Sequence, residues 1–370
     1  MLNVQCNRGT LASALKTVTR AVAGRTTLPI LNNVLVVASS EGLTLTGYDM
    51  EMGIEQKMPA TVVQEGAMTL PARMFAEIVT ALDAAEVSIT VDERAHVVIR
   101  CGGAEYVLNA LPPEEFPTLP PMESVVSLTV GREDLVGMLE KTVFAVAKDV
   151  SRPVLQGVLF SFDSSSMTAV ATDMHRLSWR TSRRDEELIE SASLLLPGHA
   201  CIALARVLSA NNDETVVVEF GENQVAMVLG QARAQVRLLE GDFPNWQRVV
   251  PDGTGKTTVV VNREELVTGI KRSAMVAREA ANKVIVDVAA MGLTLSADSH
   301  EVGTATVSVM AQVSGEPMKV GFNSTYFAEG LAAMDSEDVQ LVANGSELPV
   351  LITPVGQDNY KYVLMPMQTG

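Results

Sequence analysis

Aromatic side chains are scarce in this 370-residue chain, at 4% against 47% hydrophobic overall, so its core has to be filled by Val, Leu, Ala, Ile and 18 Met. A supply rich in β-branched residues suits many short strands. Cysteine is scarcer still. Cys6, Cys101 and Cys201 lie far apart, odd in number and without CxxC spacing, which excludes a disulfide framework and leaves no zinc pattern. A reducing compartment fits. The four histidines (His96, His175, His199, His300) show neither HxxxH nor HExxH spacing, so no metal site is expected. No stretch approaches eighteen consecutive apolar residues, and the N-terminus lacks a basic region followed by an apolar run. A soluble, cytoplasmic protein is expected. Positive charge is also short, with 28 Lys and Arg against 44 Asp and Glu, a formal net charge of −16. Taken alone, that balance argues against a nucleic-acid partner, but it leaves room for a local basic face.

What the chain does have is repetition, at a period of about 125 residues, longer than the solenoid periods. The stretches "CNRGTLASALKTV" from Cys6, "VGREDLVGMLEKTV" from Val130 and "VNREELVTGIKRSA" from Val261 align without gaps, with Arg8, Arg132 and Arg263 in register. Apolar residues recur in them at helical spacing, and Asn262 is placed to cap the third. A second element, "TLPARMFAEIVTAL", "LLPGHACIALARVL" and "VGFNSTYFAEGLAAM", runs from a short strand through Pro71, Pro197 or Asn323 into a helix. A third, "GLTLTGYDMEM", "SMTAVATDMHRL" and "GLTLSADSHEV", ends alternating strand patterns at Asp49, Asp173 and Asp298. The order and spacing predict an α+β chain of three tandem domains, 1–124, 125–253 and 254–370, each with two helices and about eight short strands.

Asp173, His175 and Arg176 together have the composition of an acid/base site. The aspartate recurs at Asp49 and Asp298 without the other two, so it is expected to accept backbone N–H groups in a turn rather than to act as a base. His175 and Arg176 belong to the middle copy alone. "DGTGKTT" at 252–258 resembles a phosphate loop but has Val250 where the first Gly is needed, and reads as a linker. No GxSxG elbow and no GxGxxG after a strand is present, and no catalytic machine or cofactor is expected. The first helix of every copy keeps cations on its polar side: Lys16 and Arg20, then Lys141 with Lys148 beyond, then Lys271, Arg272 and Arg278. On a single helix this is a solvated face. On three related domains set side by side it sums to a basic wall suited to base-blind phosphate contact.

The segments "TLPILNNVLV", "LTGYDMEM", "LPARMFAEIV", "LPPEEFPTLP", "SRPVLQGVLF", "TDMHRL", "GDFPNWQRVVP" and "YVLMPM" closely resemble the bacterial sliding clamps, the beta subunit of DNA polymerase III, over the whole chain. The resemblance implies a head-to-tail homodimer closed into a six-domain ring, helices inside and sheet outside. Such a ring encircles double-stranded DNA without sequence preference and confers processivity without catalysis. It also implies that the replicative polymerase, the clamp loader, and repair and translesion polymerases dock through short peptides, and that no membrane is involved. Positions matching the family's peptide pocket are Leu155, Thr172, Met174, His175, Arg176, Leu177, Pro244, Arg248, Val249, Val363, Leu364, Met365, Pro366 and Met367. Their apolar and thioether character suits an adaptable groove. By the same resemblance Arg25, Arg73, Lys148 and Arg152 contact DNA, while Tyr106, Leu108, Met275 and Val276 form the dimer interface. Three positions depart from the family: Met174 where a small residue is usual, Trp246 where Tyr is frequent, and Gly198–His199 where some members are basic.

Overall fold

The computed structural model describes residues 2–24, 26–92, 96–123, 126–183, 191–277 and 281–368. The chain divides into two compact units, Met1–Val136 with Ile202–Leu238, and Gly137–Cys201 with Leu239–Gly370. Each repeat supplies two α-helices: α1 (Arg8–Val18) and α2 (Ala72–Ala81), α3 (Arg132–Thr142) and α4 (Gly198–Ser209), α5 (Arg263–Ala277) and α6 (Ser324–Ala332). Asparagines start three of them. Asn7 Oδ1 accepts the Thr10 N–H at 3.1 Å, Asn262 Oδ1 those of Glu264 and Glu265, each at 3.1 Å, and Asn323 Oδ1 those of Thr325 and Tyr326 at 3.0 and 3.2 Å. The repeat is visible in single bonds. The N–H groups of Arg8, Arg132 and Arg263 donate to the carbonyls of Ala85, Glu214 and Glu337 at 2.8, 2.9 and 2.9 Å, fastening each first helix to the segment that leaves the second.

In the first unit a five-stranded sheet runs in the order Thr61–Gln64, Asn3–Asn7, Glu86–Val91, His96–Cys101, Ala104–Asn109. Beside it in the chain an eight-stranded sheet joins two repeats, through antiparallel pairing of Met52–Met58 with Ala232–Arg237 (Gln56 opposite Ala232, Met52 opposite Val236). The second unit repeats the device. Its nine-stranded sheet pairs Arg176–Arg183 with Tyr360–Leu364 (Arg176 opposite Leu364, Arg180 opposite Tyr360), and its four-stranded sheet ends at Gly303–Val309.

The two joints match bond for bond. Past one end, Lys57 N–H donates to Gln231 O at 3.0 Å and Thr181 N–H to Asn359 O at 2.9 Å; past the other, Arg237 N–H donates to Glu51 O at 2.8 Å and Met365 N–H to His175 O at 2.9 Å. Two strands of the joining types remain as unpaired sheet edges, Ala104–Asn109 and Gly303–Val309.

Two expectations need correction. Asp298 does not end its strand: it lies exposed within Gly292–Ser299, opposite Thr304, and the turn comes later, with Gly303 at φ 113°. The acid-capped turn is therefore used twice, not three times. Lys141 is not a free surface cation either, because its ammonium is paired with Asp335 and its side chain is 15% exposed. "DGTGKTT" behaves as a linker. Asp252 Oδ1 takes the Thr254 N–H at 2.9 Å, Asn344 clasps the loop through Lys256 N–H and Thr254 O, and the chain enters the strand Thr257–Asn262 instead of a helix.

Candidate functional site

The turn at Asp173–Arg176 is built by its own side chains. Asp173 Oδ1 accepts the N–H groups of His175 and Arg176, both at 3.0 Å, while the Thr172 hydroxyl accepts the Met174 N–H at 3.1 Å and donates to Arg176 O at 2.7 Å. These bonds hold Met174 at φ 75°, a left-handed conformation that costs a Cβ-bearing residue about 1 kcal/mol. The first repeat does the same. Asp49 Oδ1 accepts from Glu51 and Met52 at 3.0 and 2.7 Å, with Met50 at φ 79°. Asp173 is architectural, as its recurrence indicated.

Its second oxygen serves Arg176, which is 2% exposed. The Arg176 guanidinium donates to Asp173 Oδ2 at 3.0 Å, to the Glu329 carboxylate and to Phe144 O at 2.6 Å, and lies 4.2 Å from the Tyr326 ring centre. Burial works against its charge. The Glu329 hydrogen bond, with the charges of Tyr362, Asp173 and Glu329, more than offsets this and holds its pKa above the ordinary arginine value. Both Asp173 oxygens are occupied, and the His175 ring stacks 6.4 Å from Tyr326.

Next to this turn an apolar groove of about 120 Å³ is lined by Thr172, Met174, Arg176, Leu177, Pro244, Asn245, Trp246, Val249, Val363 and Met365. Leu177 and Val363 are cross-strand partners, and with Val170, Val342 and Leu351 they form a buried cluster against which Trp246 and Val250 pack. Eight of the expected pocket residues thus meet in one place. Leu155 and His175 instead line an adjoining cavity of about 660 Å³ with Lys148 and Arg152, and Met174 stands on the ridge shared by the two. Pro366 and Met367 line a third hollow with His175, and the Met367 N–H is held by Gly321 O at 2.8 Å. Leu364 is fully buried in the third repeat's core, since alternation along its strand turns it away from Val363. Arg248 is exposed on the short turn Trp246–Val249. Asn245 was not anticipated as a wall, and Trp246 was noted only as a departure from the family.

Arg73 is exposed on α2, Lys148 and Arg152 are exposed beside the larger cavity, and Lys16, Lys271 and Arg272 are exposed on their helices. Arg25 and Arg278 lie outside the described residues. Tyr106 and Leu108 sit on the unpaired edge Ala104–Asn109, while Met275 and Val276 close α5, Met275 being 69% exposed. Among the described residues no cluster of three or more His, Cys, Asp or Glu could hold a metal, and no helix is long and apolar enough to cross a membrane.

Tandem two-helix repeats whose sheets join edge to edge, with a groove at the joint, define a DNA-clamp architecture. Family models for the DNA polymerase III beta subunit match along the chain: its N-terminal domain at residues 2–120, its central domain at 129–245 and its C-terminal domain at 247–368. The Beta sliding clamp of Bacillus subtilis is 31% identical over 370 residues, covering 97% of each chain, and that of Halalkalibacterium halodurans 32% identical over 367 residues, covering 95% of this chain and 96% of its own. Among solved structures, the DNA polymerase sliding clamp from Bacillus subtilis superposes with a TM-score of 0.93 at 30% identity, and the DNA polymerase III beta subunit from Thermotoga maritima with 0.95 at 25%; both cover 100% of each chain. The chain belongs to the DNA polymerase III beta-subunit family. It is a DNA sliding clamp, a processivity subunit without catalysis of its own, and its partners are DNA and the polymerase.

Proposed function

We propose that two copies of this chain, each made of domains 1–124, 125–253 and 254–370, close head to tail around duplex DNA. One observation carries the reading: among the described residues two sheets end in Ala104–Asn109 and Gly303–Val309, the two strand types that pair with each other at both internal joints. Aligning the repeats through their strand pairings puts Leu108 in register with Val236 and Leu364, and Gly303 with Met52 and Arg176. The closing ladder then runs from Leu108 opposite Gly303 through Val107 opposite Thr304 to Ala104 opposite Val307. Exposure supports this, because Tyr106 is 37% exposed at the free edge whereas its counterparts Ala234 and Tyr362 are 3% and 0% exposed at the paired ones. A head-to-tail contact of this kind forms rings when its rotation closes.

Arg25, Arg73, Lys148 and Arg152 are the proposed phosphate contacts, base-blind and weak enough to permit sliding on a protein of net charge −16. The groove walled by Met174, Leu177, Trp246, Val363 and Met365 receives short apolar peptides of the replicative polymerase, the clamp loader and repair and translesion polymerases, with Leu155, His175, Pro366 and Met367 extending the site. Mild oxidation of a Val107→Cys, Thr304→Cys variant is expected to give covalent dimers; failure at this pair with success at a shifted pair would refute the register. Clamp loaded on circular DNA is expected to stay until the circle is cut. Equal retention on linear DNA would refute encirclement.

A further inference from the structure

We infer that each closing joint, where the family resemblance already sets Met275 and Tyr106, is fastened by an ion pair between Arg272 of one protomer and Asp83 of the other. The inference rests on the head-to-tail reading above and adds the side-chain contacts that hold it. Its template is the joint inside the second unit. There Lys141, in the last turn of α3, is paired with Asp335, just past α6, and Phe144 meets the Tyr362 ring with centres 5.9 Å apart.

The repeats carry these four residues onto the free edges without a gap. Arg132 and Arg263 start equivalent helices through equivalent N–H bonds, and ten residues on the Thr142 hydroxyl donates to Met138 O and the Ser273 hydroxyl to Gly269 O at 2.6 and 3.1 Å. Lys141 therefore corresponds to Arg272, and Phe144 to Met275. On the other side "FAE" at Phe75 and at Phe327 sets the register of α2 and α6, which makes Asp83 the counterpart of Asp335. Tyr106 is the counterpart of Tyr362. Asp83 is also in the right place, since a Cβ at Gly102, in the turn leading to the free edge strand, would lie 3.8 Å from its Oδ1.

Charge complementarity selects this pair. Arg272 and Asp83 are both exposed, and among the described residues neither has an ion-pair partner. The corresponding helix position at the joint of the first unit is Thr17, which carries no charge. Cation and anion thus occur together at the second internal joint and at the closing edges. Met275, 69% exposed, is a large apolar side chain at the helix position where Phe144 packs against the next repeat.

The test uses the full chain and its dimer dissociation constant from analytical ultracentrifugation. Arg272→Glu and Asp83→Lys are each expected to weaken the dimer about tenfold or more, because each places like charges in both closing joints. An equimolar mixture of the two is expected to recover dimerisation, since a heterodimer of one with the other has an opposite-charge pair at both joints. Thermal melting checks that these exposed substitutions leave the fold intact. Single variants that dimerise as the unmodified chain does, or a mixture that gains nothing, would overturn the ion pair while leaving the head-to-tail reading standing. An unmodified chain that stays monomeric, with no Val107→Cys to Thr304→Cys crosslink, would overturn both.

Discussion

Met174 illustrates what a single residue can be made to bear. Its φ of 75° is imposed by Asp173 and Thr172, and its side chain forms the ridge between the groove and the adjoining cavity. Met174→Gly is expected to relieve about 1 kcal/mol of backbone cost and to merge the two cavities, measured as a higher melting temperature together with altered partner-peptide affinity. Arg176→Ala is expected to do the opposite and cost about 3–5 kcal/mol, because it leaves Asp173, Glu329 and the Phe144 carbonyl without their cation. Denaturant unfolding reads that loss. Burial, with Glu86 adding to it, pushes the Cys6 thiol up from 9.0 to about 11, and burial raises Cys201 further. These two thiols should therefore resist a thiol reagent near about pH 8 and react only on unfolding. The folded form keeps the proton that the unfolded chain releases above about pH 9, so this contribution to stability is lost as pH rises from 9 towards 11.

Helices and strands were legible to different degrees, for physical reasons. The six helices announced themselves through apolar spacing and through Asn, Pro or Gly at their starts, all local signals. The groove residues from Thr172 to Leu177 were likewise legible, because only one repeat departs there from a shared pattern. Pairing between repeats was not, since an alternating strand looks the same whether its neighbour belongs to its own repeat or the next. The burial of Arg176 was hidden as well: a guanidinium at a strand start reads as surface until Glu329, more than a hundred residues away, is brought beside it. Lys141 was misread for the same reason. Close approach of elements leaves a testable mark at Gly330 of α6, where an added Cβ would fall well inside contact distance of the Tyr362 ring. Gly330→Ala is expected to destabilise the second unit by about 1–3 kcal/mol, read from denaturant unfolding.

At the scale of the whole molecule, net charge and topology divide the work. A chain at −16 repels DNA over most of its surface, so weak local contacts can permit movement while a closed path prevents escape. Reversing Lys148 and Arg152 together is expected to slow loading and flatten its salt dependence without releasing clamps already on circular DNA, measured by loading across a salt series and retention after a salt challenge. The buried guanidinium at the second internal joint has a further consequence. Its counterpart on the free edge is Gly303, which has no side chain, so the proposed closing seams lack both a covalent connection and a sequestered cation. If the ring closes as proposed, a force that opens it is expected to part it at these seams first, so the repeats themselves fix where it opens.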